Sequence, residues 1–584
     1  MNIKTTKSFF YFIYQTLFAV NVLMWIYGYL VLFLVGAVLT ETTDEYRVVN
    51  ITQGPVRGRR DPEGGVYSFY NIPYATAPTG RNRFKAPLDP PVWMHTFDAV
   101  DKGITCPQPG NIFNMQEDCL VANVFTPDTN DTNLPVLVNF HGGSYQHFHG
   151  NYVKHNNLVR TRRLIVVSFN YRLGAQGFLC LGTEAIPGNA GLKDQVALLR
   201  WVKTTIASFG GNPEEVTIAG CSAGSGSVDA MTLSGITSGL FKRANMDSGV
   251  AFGVVGLQRD PVANAQTYAR LLNFDNVDDL DALGEFYTSV SFQELYSRHD
   301  VISNNYNGSI WFSPCVERDV GEERVIEEAP MDIIVQGKYN KVPLLFGFTN
   351  MEGLLRMPLF ESWKDKMNER FADFLPYELE FESEEVKNEV AKNVKEFYFG
   401  DKPVGEETVL NYIDYFTDTQ FAFPMLKSLK ARVESLDDTI YLFEYSFADE
   451  NSPSIPHTDE KGADHCDQLR AVTDQNKTGL TPDYRQMKEI MREYWFNFIS
   501  TGSPWVEGSE LVQWPPASAN RTPHISLGRT VELKGILLED RVAFWEDIYE
   551  KYYKAPKPPG GAASSYIISK VLISVYTFNI LIMF

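Results

Sequence analysis

Ser222 stands at the centre of Gly220-Cys221-Ser222-Ala223-Gly224, a G-x-S-x-G pentapeptide, and the apolar run Val216-Thr217-Ile218-Ala219 leads directly into it. A strand that ends in such a pentapeptide bends sharply into a helix and lifts the serine hydroxyl clear of the sheet, where a base can reach its proton. The chemistry on offer is nucleophilic attack on a carbonyl carbon. A serine hydroxyl is a poor nucleophile unaided, so a histidine base and an acid that orients it are also required. Three histidines lie far enough beyond the serine to leave room for an acid: His457, His465 and His524. The oxygen that becomes negative needs donors aimed at it. Candidates follow the apolar run Leu134 to Phe140, in His141-Gly142-Gly143-Ser144, where glycines let main-chain amides approach a substrate; the amide of Ala223 completes the set.

The elements that must position these groups are legible around them. Leu192, Val196, Leu199, Val202 and Ile206 recur at the three-and-four spacing of an amphipathic helix, which Phe209-Gly210-Gly211-Asn212-Pro213 ends. Small residues from Ala223 to Ser227 predict a second helix packed closely on a sheet. The order is helix, strand, turn, helix. Val342 to Phe348 reads as a buried strand emptying into Thr349-Asn350-Met351-Glu352-Gly353, and Thr439 to Phe447 as another apolar run, before a polar loop at Gly462 to Asp467. Strand runs alternating with helical segments predict an α/β fold with a mostly parallel central sheet covered on both faces. No Pro/Gly/Ser linker or repeat interrupts residues 46–545, so one large domain is expected there.

The stretch F-G-G-N-P-E-E-V-T-I-A-G-C-S-A-G, from Phe209 to Gly224, resembles the serine signature of type-B carboxylesterases, the group that also holds cholinesterases and neuroligins. Glu117-Asp118-Cys119-Leu120 with Asn123 resembles a second signature, with Val121 and Ala122 as departures. N-Y-R-L-G at 170–174, G-L-F at 239–241, D-S-G at 247–249 and W-P-P at 514–516 agree in order. The resemblance spans residues 46–545 and implies an α/β-hydrolase with a substrate gorge above the strand ends. It implies an acid in the E-G pair after a strand, which matches Glu352, and a histidine in a G-x-x-H loop, which matches His465. It also implies oxyanion donors at Gly142, Gly143, Ser144 and Ala223, with Ser144 replacing a usual glycine, and a first disulfide between Cys106 and Cys119. The expected activity is hydrolysis of carboxylic esters through an acyl-enzyme, using a Ser222-His465-Glu352 triad and calling for no metal and no organic cofactor. Cholinesterase-like and neuroligin-like adhesive relatives are the alternatives. The Cys106–Cys119 interval holds only Phe113 as an aromatic and no Trp, which weakens the choline reading.

Fifty-two basic against 72 acidic side chains give a net charge of -20, which disfavours nucleic acid and anionic membrane surfaces as partners. A small-molecule ester remains the expected partner. Ser8 to Thr40 carries no charge and follows Lys4 and Lys7, so residues 1–40 read as a signal peptide or signal anchor. Residues 554–584 read as a Lys/Pro linker and hydrophobic tail that fits a glycolipid-anchor signal. Sequons at Asn50, Asn130, Asn307, Asn476 and Asn520 suit an exported, cell-surface or extracellular glycoprotein. Of the remaining four cysteines, Cys180 and Cys315 read as buried thiols. Cys221 and Cys466 each adjoin a triad residue, which makes them a candidate disulfide or redox-sensitive pair.

Overall fold

Runs rich in β-branched and aromatic residues form the central strands, in keeping with their propensity. A computed structural model describes residues 24, 25 and 45–560, apart from 102, 111–113, 299–304, 437 and 476–478. The strands are β1 (Tyr46–Ile51), β2 (Gly54–Arg60), β3 (Val66–Pro73), β4 (Phe97–Asp98), β5 (Val121–Pro127), β6 (Leu134–Phe140) and β7 (Ile165–Phe169). Then come β8 (Gly211–Cys221), β9 (Arg243–Asp247), β10 (Leu344–Thr349), β11 (Ile440–Tyr445), β12 (His524–Leu527) and β13 (Val531–Lys534). They make one 13-stranded sheet in the order β1-β2-β3-β5-β7-β6-β8-β9-β10-β11-β12-β13, with β4 beside β2. The block from β7 through β12 is parallel, while the pairs β2–β3, β3–β5, β5–β7 and β12–β13 are antiparallel.

Both faces of the centre are covered, which is why β7 is buried at every position and shows no alternation. On one face Val136, Val138, Ile165 and Val167 pack with helices α1 (Ala190–Thr205) and α2 (Ala223–Leu233). On the other, Leu137 and Val166 pack with Met491, Trp495 and Phe498 of α3 (Pro482–Thr501). Residues from Val48 onward cluster as one compact unit. The helix expected over Leu192 to Ile206 is α1 with a short 3-10 turn, Ile206–Phe209, at its end. The strand expected at Val216 to Ala219 is longer in β8, because Gly211 pairs with Leu134 ahead of a register shift and carries polar Asn212 to Glu215 along with it.

Two disulfides lie in the body of the fold. Cys106–Cys119 has Cα atoms 5.1 Å apart. Cys180–Cys315, at 6.7 Å, corrects the reading of those residues as buried thiols. Their apolar surroundings are real, but a separation of 135 positions concealed that the fold brings them together. Asn189 secures the junction, donating to the Cys315 carbonyl and accepting from its amide, each at 2.8 Å. Of the sequons, Asn50, Asn130 and Asn520 are exposed and Asn307 is half-buried. Asn476, Phe113, residues 1–40 other than Met24 and Trp25, and the tail beyond residue 560 lie outside the described residues.

Candidate active site

β8 delivers Ser222 to the C-terminal edge of the sheet and α2 begins at the next residue. The serine sits at φ 61° and ψ −129°, a conformation that costs about 1–3 kcal/mol and persists only when its surroundings enforce it. Close approaches enforce it here. A Cβ on Gly220 would meet the Gly224 carbonyl carbon at 2.5 Å, and one on Gly224 would meet the Phe140 oxygen at 2.2 Å. The turn is further tied by Ser222 N–H donating to the Asp247 carbonyl at 2.9 Å.

Glu352 follows β10 at the start of a 3-10 turn, Glu352–Leu359, and is fully buried. Its Oε2 lies 2.5 Å from His465 Nδ1. Its Oε1 accepts from Ser248 Oγ at 2.5 Å and from the Thr349 amide at 2.8 Å. Gln468 in turn donates to Ser248 Oγ at 2.7 Å. The carboxylate is therefore held on both oxygens. Ser248 and Gln468 are neighbours of this carboxylate that sequence reasoning passed over, although Ser248 stood in the D-S-G landmark.

His465 comes from the loop after β11, and its ring centre lies 4.5 Å from that of Phe421. Phe421 and Ser222 line one cavity of about 190 Å³. The decisive link is covalent: Cys221 and Cys466, the neighbours of the serine and the histidine, form a disulfide with Cα atoms 6.2 Å apart. The pairing proposed from adjacency to the triad is thus the disulfide alternative. His465 Nε2 is buried without a hydrogen-bond partner, so the bond from Ser222 Oγ is not formed in this structure. In free enzymes such bonds are commonly long and tighten only with substrate bound. The other candidate bases lie elsewhere: His524 Nδ1 sits 2.7 Å from the Gly535 carbonyl, and His457 faces Glu361 and Glu406.

Beyond β6, a Cβ on Gly142 would meet the Cys221 oxygen at 2.6 Å and Ser222 Cβ at 3.3 Å, so only glycine lets this loop rest against the serine. Gly143 has φ 103° and Ser144 φ 54°, left-handed conformations that turn the loop. The amides of Gly143 and Ser144 have no acceptor among the described residues. Ala223, as the first residue of α2, has no intrahelical acceptor either. His141 braces the loop by stacking on Tyr171 at 4.3 Å, while Tyr171 Oη donates to its carbonyl at 2.8 Å. Burial pushes the His141 pKa down to about 3, so this histidine stays neutral.

Asp247, at the end of β9, is fully buried with neither carboxyl oxygen partnered. Burial first, then the charge of Glu352, raises its pKa well above the carboxylate range. Among the described residues no three His, Cys, Asp or Glu side chains converge as metal ligands would.

The sequence profile of the Carboxylesterase family matches residues 45–545. The chain belongs to the carboxylesterase family. A "Carboxylic ester hydrolase" of Bombus ignitus is 31% identical to this esterase over 86% of the chain and 94% of the relative. The Juvenile hormone esterase of Heliothis virescens is 30% identical over 81% and 89%. Among solved structures, Juvenile Hormone Esterase from Manduca sexta, with OTFP covalently attached, superposes with a TM-score of 0.77 at 28% identity, covering 87% of this esterase and 100% of that chain. The α/β-hydrolase architecture expected from the sequence is that of these esterase structures.

Proposed function

We propose that this esterase hydrolyses carboxylic esters through a covalent acyl-enzyme on Ser222. Ser222 Oγ attacks the ester carbonyl while His465 Nε2 takes its proton, and the carbonyl oxygen, now negative, is received by the amides of Gly143, Ser144 and Ala223. Gly142 keeps that loop against the serine. The protonated histidine passes its proton to the departing alcohol. Water then attacks the acyl group with His465 again as base. Glu352 keeps the imidazole turned with Nδ1 inward and stabilises its charged form.

One observation carries this reading: the disulfide between Cys221 and Cys466 joins the residues next to Ser222 and His465, while His465 Nδ1 is 2.5 Å from buried Glu352. Ser222→Ala is expected to abolish hydrolysis of 4-nitrophenyl butyrate, and retention of most activity would sink the assignment. The adhesive, neuroligin-like alternative requires no orienting carboxylate or unpartnered amides beside a serine. Three disulfides among the described residues and the exposed sequons favour an exported protein. Membrane attachment through the N-terminal segment or a glycolipid at the C-terminus stays part of this proposal. Among the described residues no helix is long and apolar enough to cross a membrane.

A further inference from the structure

The cavity beside Ser222 has one permanently charged side chain among its described lining residues, and that charge is positive. Arg356 reaches the cavity from the 3-10 turn that begins at Glu352. Its Nε donates to Gln420 Oε1 at 3.0 Å, Tyr412 Oη donates to its main-chain carbonyl at 3.1 Å, and its guanidinium carbon lies 5.9 Å from the Trp363 ring centre. These contacts hold the guanidinium without neutralising it. Among the described residues no carboxylate forms an ion pair with Arg356. Glu352, four positions earlier, has both oxygens engaged by His465, Ser248 and the Thr349 amide.

Three other arginines of the fold are ion-paired, although Arg521, which is more buried than Arg356, is likewise without a carboxylate partner among the described residues. Arg172 is paired with Asp194 at 2.6 Å, Arg432 with Asp229, and Arg541 with Asp418 and Asp414. Arg356 is half-buried, and a cation partly withdrawn from water with no counter-charge is stabilised when an anion arrives. Burial pulls the Arg356 pKa down, as expected for a guanidinium short of counter-charge, yet arginine stays protonated at any working pH. The chain has acids in excess, with a net charge of -20, but contributes none of them to the described lining of this cavity. Its other polar groups, such as Gln146, Asn305 and Ser309, are neutral. A quaternary ammonium would meet only repulsion from Arg356.

We propose that this esterase prefers esters carrying a carboxylate on the acyl or the alcohol portion, and that Arg356 is the specificity-determining residue that receives it. The proposal rests on the reading of Ser222 as nucleophile. Two arms test it. One compares 4-nitrophenyl hemiadipate with 4-nitrophenyl hexanoate, and the other compares the butyrate esters of 4-hydroxybenzoate and 4-hydroxybenzamide, each corrected by the rate with Ser222→Ala. In at least one arm the acidic ester is expected to exceed its neutral partner by about 10- to 100-fold in kcat/KM, the range for a hydrogen bond to a charged group. Arg356→Gln should collapse that ratio to within about threefold of unity, and Arg356→Lys should keep part of it because the charge remains. Preference for the neutral ester in both arms, or an unchanged ratio in Arg356→Gln, overturns the proposal. Failure to hydrolyse even the neutral esters faster than Ser222→Ala instead overturns the nucleophile reading, and the specificity proposal falls with it.

Discussion

Removing the Cys221–Cys466 disulfide should cost stability and catalysis together, whereas removing Cys180–Cys315 should cost stability alone. The two bridges close loops of 245 and 135 residues. Loop-closure entropy then gives about 5.5 and about 5 kcal/mol respectively, an upper range because the two loops overlap in the chain. Unfolding entropy of about 2.1 cal/mol/K per residue over roughly 500 residues converts either value to a fall of about 5 °C in midpoint. The prediction is therefore near equality in the thermal assay. Catalysis should separate the variants, since one bridge adjoins both Ser222 and His465 and the other lies beside Asn189. A displacement of about 1 Å between reacting groups costs on the order of 100-fold. The assay pairs Cys221→Ala with Cys466→Ala, and separately Cys180→Ala with Cys315→Ala, measuring midpoints under conditions where unfolding is reversible, and kcat on 4-nitrophenyl butyrate. Expected are similar midpoint losses and a kcat loss of about 10- to 100-fold in the first variant only. Equal kcat in both variants would refute the claim that the bridge positions the catalytic pair.

Glu352→Gln should lower kcat by about 10⁴-fold with little change in KM, because an amide presents the wrong partner to His465 Nδ1 while preserving shape; steady-state kinetics retaining more than a tenth of wild-type kcat would contradict this. Asp247 gives a pH test. Its pKa is raised in the fold, so the folded chain keeps a proton that the unfolded chain releases above about pH 4, and stability falls as pH rises past that value. Asp247→Asn removes the loss, so the variant's thermal midpoint should gain on wild type between pH 4 and pH 8; a constant difference across that range would show that Asp247 is ionised in the fold.

Strand β6 was read from sequence with the bounds it has in the structure, Leu134–Phe140, because a continuous apolar run between turn signals has few other solutions. β8 was read too short. Its first half is polar, and only pairing to β6 makes it a strand. The elbow at Ser222 was visible because glycine spacing and a preceding strand are local properties. Glu352 and His465 were assigned through resemblance, since neither a glutamate nor a histidine in a loop has a local mark of its own. The contacts of Ser248 and Gln468 beside Glu352, and the place of Arg356 in the cavity lining, have no local mark either. Cys180 and Cys315 were misread because an apolar neighbourhood describes a buried thiol and a buried bridge equally well.

The chain's order of residues determined what is decided within a few turns of backbone: which segments are strands, where the sharp bend presents a serine, and which glycines let amides come close. Tertiary structure alone decided which remote groups meet, namely a carboxylate at 352 with an imidazole at 465, two cysteines 245 positions apart, and a guanidinium without a carboxylate partner lining the same cavity as Ser222. The physical reason is that periodicity and turn chemistry act through neighbours in sequence, whereas charge pairing and cavity lining depend on distances that only the packed sheet sets.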